Sequence, residues 1–230
     1  FARRTPALPV SVMGLHFPNP VGLAAGLDKN AQHMQPLADF GFGWLELGTV
    51  TPRPQPGNPP PRLFRIPARH ALINRMGFNN VGSEAFLNNL ARHGKPCLIG
   101  INIGKNKDTP LAQAAEDYRK GLRAAYPSAD YVAVNISSPN TAGLRDLQNE
   151  ENLDELLQTL KAEQTLLTKT HGRYVPIALK IAPDVDAAQI AAIAELVLKH
   201  KFDALIATNT TVTRPGLENF PVAQQTGGLS

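Results

Sequence analysis

The sequence predicts an α/β protein with a parallel sheet, of the (β/α)8 TIM-barrel class. Short apolar runs alternate with amphipathic stretches along the chain, which favours a parallel sheet with helices outside it. The runs are continuously apolar, as in strands that are buried on both faces. Most of them end in a polar side chain or a glycine, which is typical of the strand ends where barrel sites are built. We expect residues 1–230 to form one such domain.

The apolar runs place the strands, and helical spacing places the helices between them. Six strands are predicted, at residues 21–27, 44–50, 97–103, 131–136, 177–181 and 204–208. Helices are predicted at residues 31–40 and 81–90, after Thr109, around residues 153–160 and after Asp186. Thr109 is expected to be an N-cap with Pro110 at the first helical position. Asp186 is expected to form a capping box with Gln189.

One segment interrupts the alternation. Residues 51–61 contain six prolines and are therefore excluded from a helix interior or a central strand. The runs at residues 62–66 and 71–74 are expected to form a small accessory ribbon. Because the alternation resumes with the helix at residues 81–90, we interpret this part as a small proline-rich/β insertion over the barrel.

Composition narrows the function classes. The net charge of +4 comes from scattered basic residues, which suits anionic ligands and gives no support to a nucleic-acid partner. The single cysteine, Cys97, cannot form an internal disulfide and indicates a reducing compartment. No CxxC or HExxH motif occurs, so no metal site is predicted.

The side chains at the predicted strand ends are mostly amides, hydroxyls and lysines. Asparagine can donate to and accept from a planar ring that carries C=O and N–H groups, and lysine supplies positive charge for an anion. Carboxylates are few and histidine is absent at these ends. This composition disfavours a glycosidase, which needs paired acids, and a Ser-His-Asp hydrolase, which needs a positioned base.

Five ordered segments resemble the motifs of the dihydroorotate dehydrogenases and together span nearly the whole chain. They are AAGLDKN at residues 24–30, NRMGFN at 74–79, NISSPNT at 135–141, KIAPD at 180–184 and TNTT at 208–211. Cytosolic family-1 enzymes carry cysteine as the base in the third motif. The serine at position 138 instead resembles the quinone-using, membrane-associated family 2.

The resemblance implies oxidation of (S)-dihydroorotate to orotate in de novo pyrimidine (UMP) biosynthesis. Flavin mononucleotide (FMN) would accept the hydride, a membrane quinone would be the final electron acceptor, and Ser138 would be the general base. The implied substrate-binding residues are Lys29, Asn74, Arg75, Met76, Gly77, Phe78, Asn135, Asn140, Asn209 and Thr210. The implied FMN-binding residues are Ala25, Gly26, Leu27, Asp28, Lys29, Thr49, Asn102, Asn135, Lys180 and Thr208.

The resemblance also sets expectations for features outside the printed residues. Family-2 enzymes carry N-terminal helices that contact the membrane, and we expect these helices to be absent here. We expect a barrel that is truncated after about six strands, with the FMN phosphate site beyond Ser230. The resemblance implies a monomer. If the source is bacterial, it implies a peripheral location on the cytoplasmic side of the inner membrane.

Three other interpretations stay open. The first is another FMN barrel enzyme acting on a pyrimidine, which would use cysteine as the acid where this chain has Ser138. The second is a flavin-binding or interaction fragment without turnover. The third is a phosphate-binding β/α barrel of unknown substrate, which would hold if the five motifs were scattered in space.

Overall fold

The computed structural model describes residues 7–230. Residues 1–6 of the predicted domain lie outside the described residues. Within this range the chain forms eleven strands and five α-helices. In chain order they are β1 (Val10–Val12), β2 (Leu15–Phe17), β3 (Gly22–Leu23), α1 (Met34–Ala38), β4 (Trp44–Val50), β5 (Leu63–Ile66), β6 (Ala71–Asn74), α2 (Gly82–His93), β7 (Leu98–Ile103), α3 (Ala114–Ala125), β8 (Tyr131–Asn135), α4 (Glu150–His171), β9 (Ile177–Ile181), α5 (Ala187–Lys199), β10 (Ala204–Ala207) and β11 (Gly228–Leu229).

The central sheet confirms the predicted parallel architecture. Across residues 7–230 it contains six strands in the order β10-β9-β8-β7-β4-β3, and every neighbouring pair is parallel. The sheet curls into half of a β/α barrel. Its register places Gly48 beside Asn102 and Asn135 beside Lys180. The polar strand ends are therefore brought to one edge of the sheet.

The helices cover the outer face of this sheet and bury its apolar side chains. Tyr118 and Leu122 of α3 are fully buried against the strands, as are Leu157 and Leu160 of α4. Each buried side chain of this size contributes about 1.5–3 kcal/mol of hydrophobic stabilisation. The capping box predicted at Asp186 is confirmed at the start of α5.

The hairpin of β1 and β2 packs against the opposite, inner face of the sheet. Its residues Met13 and Leu15 contact a cluster around Tyr131 and Ala178, at the amino-terminal ends of the strands. An apolar cavity of about 340 Å³ adjoins this hairpin. The hairpin was not predicted from the sequence, because its strands are only three residues long.

The predicted bounds of the first barrel strand and of the first helix are wrong. The first barrel strand is limited to β3, because the chain leaves the ladder and Gly26 bonds instead to the Gly48 carbonyl at 2.9 Å. Helix α1 is shorter than residues 31–40, because Ala31 has a left-handed φ of 55°.

The N-cap predicted at Thr109 is also wrong. The Thr109 hydroxyl donates to the Asp117 carboxylate at 2.7 Å, and Pro110 is extended with a ψ of 152°. A 3-10 turn at Leu111–Gln113 follows, and α3 begins only at Ala114.

The proline-rich insertion is confirmed as an irregular loop followed by a small ribbon. Strands β5 and β6 pair antiparallel, and β11 joins them by pairing with β6. Gln55 of the loop bridges to Asn80. The insertion therefore lies over the carboxyl-terminal ends of the barrel strands, where it contributes to the cavity described next.

Candidate active site

A cavity of about 640 Å³ lies where the barrel strand ends meet the insertion ribbon. This volume is within the range of pockets that hold cofactors and small substrates. The residues that line it are Ala25, Gly26, Leu27, Asp28, Lys29, Asn30, Gln32, His33, Thr49, Leu63, Leu72, Asn74, Met76, Gly77, Phe78, Asn79, Asn135, Ser138, Asn140, Lys180, Asn209, Thr210 and Ser230. All five sequence motifs contribute at least one lining residue, so they are not scattered in space.

Three residues of the predicted binding sets do not line this cavity. Arg75 places its guanidinium 4.6 Å from the centre of the Phe64 ring and donates to Gln225. Asn102 is fully buried beneath the cavity floor. Thr208 is exposed, and its hydroxyl donates to the carbonyl of the next residue.

Ser138 lies on the loop that follows β8 and is only 5% exposed. Its Oγ atom accepts a hydrogen bond from the Asn140 backbone N–H at 3.2 Å. The Asn140 side chain donates to Asn74 Oδ1 at 3.3 Å, which joins this loop to the NRMGFN segment across the cavity. The serine hydroxyl is therefore held among amide groups.

The neighbouring Ser137 is also fixed. Its N–H and hydroxyl both donate to Asn135 Oδ1, at 3.2 and 2.9 Å. Asn209 Nδ2 in turn donates to Ser137 Oγ at 3.0 Å. These bonds tie the end of β8 to the loop after β10 directly behind Ser138.

Beneath the cavity floor lies a connected network of buried polar side chains. Asn135 donates to Thr49 at 3.0 Å, and Thr49 donates to Asn102 at 2.5 Å. Asn102 and Tyr131 both donate to the Glu46 carboxylate, each at 2.8 Å. Burial, together with the Glu46 charge, raises the pKa of Tyr131 well above its usual value, so it stays a donor. A satisfied network of this kind fixes the orientation of each side chain in it.

Two lysines give the cavity a positive character. Lys180 extends from β9 and lies 4.0 Å from the Glu46 carboxylate. Burial, together with the positive charges of Arg62 and Lys180, lowers the pKa of Lys29 to about 8. Such a lowered pKa means that no nearby negative charge balances the Lys29 ammonium, and a bound anion would provide that negative charge.

The donor set of the cavity fits a flat ring system with polar edges. Its polar groups are mainly amides and hydroxyls, and the Asn79 Oδ1 atom is buried with no hydrogen-bond partner in the described part of the chain. Gly26 has a φ of 122°, and a Cβ there would meet no atom within 4 Å, so this wall is open backbone. A ligand can approach that backbone closely.

Several lining residues were not predicted as site residues. They are Asn30, Gln32, His33, Leu63, Leu72, Asn79 and Ser230. Leu63 and Leu72 come from the ribbon, whose position over the barrel has no local sequence signal. Asn79 directly follows the predicted NRMGF residues, and its polar side chain was the signal that could have extended the set.

Residues 7–230 contain no group of three or more His, Cys, Asp or Glu side chains arranged to hold a metal ion. Of the helices described, none combines the length and apolar character needed to cross a membrane.

The fold and the cavity define a β/α-barrel protein with a polar, lysine-containing cavity at the carboxyl-terminal ends of its strands. A family model described as "Dihydroorotate dehydrogenase" matches residues 7–230. The chain belongs to the dihydroorotate dehydrogenase family.

Individual relatives agree with this assignment. The chain is 61% identical over 222 residues to a "Dihydroorotate dehydrogenase (quinone)" of Nitrosomonas eutropha, covering 96% of this chain and 65% of the relative. It is 60% identical over 227 residues to a protein of the same name from Thiobacillus denitrificans, covering 99% and 67%. A crystal structure of DHODH in complex with ferulenol from Eimeria tenella matches with a TM-score of 0.92 at 39% identity, covering 99% of this chain and 66% of that one. The chain thus spans about two thirds of the length of these relatives.

Proposed function

We propose that this chain carries the site of a quinone-dependent dihydroorotate dehydrogenase, which oxidises (S)-dihydroorotate to orotate in pyrimidine biosynthesis. The observation that carries the proposal is the position of Ser138. Its hydroxyl is buried in the lysine-lined cavity, where it accepts a hydrogen bond from the Asn140 N–H and asparagine side chains share the lining. A serine in this position matches the family-2 motif, and the relatives named above are called quinone enzymes.

FMN is the proposed cofactor, and the residues present fit it. The open backbone at Ala25 and Gly26, the side chains of Thr49 and Asn135, and the Lys180 ammonium offer donors and charge along one wall. When bound, FMN supplies an acceptor for the hydride that dihydroorotate loses. Lys180 would place positive charge next to the flavin, on which negative charge develops during reduction.

Ser138 is proposed to accept the proton that leaves one ring carbon as the hydride leaves its neighbour. The C–C single bond thereby becomes the double bond of orotate. A serine hydroxyl is a weak base, so its own proton must pass to water or a neighbouring group as it accepts another. This requirement favours a site that is closed and ordered during the reaction.

Substrate binding is proposed for Lys29 and for an amide cage formed by three asparagines that line the same cavity. Asn74, Asn140 and Asn209 offer both donors and acceptors to the polar edges of the ring. The Lys29 ammonium is proposed to contact both the substrate and the flavin. Its uncompensated charge suits the carboxylate of dihydroorotate.

The final acceptor and the cellular site are part of the same proposal. A quinone would reoxidise the flavin. If the source is bacterial, the protein would lie at the cytoplasmic side of the inner membrane as a peripheral monomer. The names of the relatives support a quinone as the acceptor. We also propose that the residues of this chain act together as one barrel domain.

Anaerobic mixing of the flavin-loaded protein with dihydroorotate tests the proposal. We expect loss of the visible flavin absorbance, and Ser138→Ala should slow this loss by about 10²–10⁴-fold, as for other general bases. Ser138→Cys is the matched variant, because a thiol can replace the hydroxyl as a base and should retain part of the rate. Flavin binding without bleaching would instead support a binding fragment without turnover. Equal rates in the wild type and Ser138→Ala would refute the role of Ser138.

A further inference from the structure

Arg145 connects three separate segments behind the candidate active site. It lies in the 3-10 turn at Leu144–Gln148 and does not line the cavity. Its Nε atom donates to the Ser137 carbonyl at 3.0 Å, its Nη1 atom to Asp184 Oδ2 at 2.7 Å, and its Nη2 atom to the Thr210 carbonyl at 2.9 Å.

We infer that Arg145 is a positioning residue that holds Ser138 in register with the substrate-binding loop after β10. This inference rests on the proposed function.

The bond to Ser137 acts directly on the serine proposed as the base. The Ser137 carbonyl belongs to the peptide unit that joins Ser137 to Ser138, and this unit is planar. A charged donor at 3.0 Å therefore fixes the plane from which the Ser138 Cα and side chain extend. If that bond is lost, the peptide can rotate and the Ser138 Oγ atom moves with it.

Asp184 accepts a hydrogen bond from Arg145 and is itself held in place by the loop after β10. The Thr211 hydroxyl donates to its Oδ1 atom, and the Val212 N–H donates to its Oδ2 atom at 3.1 Å. Burial alone would raise the pKa of Asp184, but the bonds from Thr211 and Arg145 outweigh it and hold that pKa below its usual value. The carboxylate is therefore charged and oriented by the same loop that carries Thr210.

The turn that carries Arg145 is itself held in place. Gly143, which precedes it, has a left-handed φ of 67°, and Leu144 is fully buried. Gln148 at its end is buried and accepts a hydrogen bond from the Ala182 N–H at 2.9 Å. Arg145 thus extends from a well-anchored turn, and each of its three guanidinium nitrogens donates to a different oxygen, an arrangement that suits guanidinium and not the point charge of lysine.

The expected consequence of losing Arg145 concerns the chemical step more than the binding step. A misplacement of about 1 Å can cost on the order of 10²-fold in rate, because the reacting atoms leave their aligned position. We expect the rate of flavin reduction at saturating dihydroorotate to fall by about 10–100-fold in Arg145→Gln. The dissociation constant for orotate should change by less than the rate does, because Lys29 and Asn74 lie outside the two loops that Arg145 holds.

The experiment compares Arg145→Gln and Arg145→Lys with Arg123→Gln in the flavin-loaded protein. Arg123 is a matched control, because it makes a bidentate ion pair with Glu163. This pair lies on the outer helices, away from the cavity. Stopped-flow flavin reduction, orotate binding and thermal midpoints are measured for each. We expect only the Arg145 variants to lose reduction rate, and Arg145→Lys to recover little of it. A normal rate in Arg145→Gln, or full recovery by lysine, would overturn the inference.

A second readout separates this inference from the proposed function. Hydrogen exchange of backbone amides should accelerate at residues 136–141 and 209–212 in Arg145→Gln, and stay unchanged there in Arg123→Gln. If the wild type fails to oxidise dihydroorotate, the proposed function fails while the exchange result still decides whether Arg145 holds the two loops. Unchanged exchange in both segments would refute the positioning role whatever the substrate proves to be.

Discussion

Lys29 should make the affinity of the cavity for an anion depend on pH above neutrality. Its pKa is lowered to about 8 from 10.5, first by burial and then by the charges of Arg62 and Lys180. An anion such as orotate needs the protonated lysine, so binding at high pH must first restore that proton. We therefore expect orotate affinity to be nearly constant below pH 8 and to fall above it.

The magnitude follows from linkage between proton and ligand. Above its pKa the protonated fraction of Lys29 falls about tenfold per pH unit, so orotate should bind about tenfold more weakly at pH 9 than at pH 7. Binding at pH 9 should also take up close to one proton.

The same shift affects folding with a defined sign. Between pH 8 and 10.5 the unfolded chain holds the Lys29 proton and the folded protein does not, so this group adds stability as pH rises through that window. Below pH 8 both states are protonated, and the cost of burying the charge is fully present.

Isothermal titration calorimetry of orotate at pH 7, 8 and 9, in buffers of different ionisation enthalpy, measures affinity and proton uptake together. Lys29→Arg is the matched variant, because guanidinium stays protonated throughout and should abolish the pH dependence. Lys29→Met should bind weakly at every pH. A wild-type affinity that stays constant to pH 9 would refute the assigned pKa, and an unchanged pH dependence in Lys29→Arg would assign it to another group.

Two further predictions concern the floor and the rim of the cavity. Glu46→Ala should lower the free energy of unfolding by about 2–6 kcal/mol in urea titrations. The reason is that the Tyr131 hydroxyl and the Asn102 amide, both buried donors, lose their acceptor. Glu46→Gln should cost less, and an equal loss would contradict this account. Gly77→Ala should weaken orotate binding at least about tenfold, because its φ is 72° and the Cβ would lie 2.8 Å from Asn58, which forces the loop to move. Gly216→Ala has the same strained φ in open space, so it should leave orotate affinity unchanged.

The strand ends could be predicted from the sequence because their signals are local. Most barrel strands are short apolar runs with a polar residue at or next to the carboxyl end, and parallel pairing brings such ends to one edge. The capping box at Asp186 is equally local, since its two partners lie three residues apart. The same holds for the proline-rich loop, where residue type alone excludes regular structure.

Side-chain direction could not be predicted, because it depends on partners far along the chain. Arg75 belongs to a motif whose neighbours line the cavity, yet its guanidinium turns to Gln225, 150 residues away. Strand β11 is two residues long and exists because β6 offers it an edge. Arg145 carried no signal either, since Asp184 and Thr210 lie 39 and 65 residues from it.

The identity of the proposed base explains why its loop has so many fixed contacts. A cysteine at position 138 could lose its proton before the substrate binds, because a free thiol titrates near 8.5. A serine hydroxyl cannot, so it must exchange protons within the reaction and needs a closely defined position. The structure provides this through the Asn140 N–H on Ser138 itself and through Asn209 and Arg145 on Ser137. A serine at this position therefore requires a loop that is held in place from both sides, and the structure has such a loop.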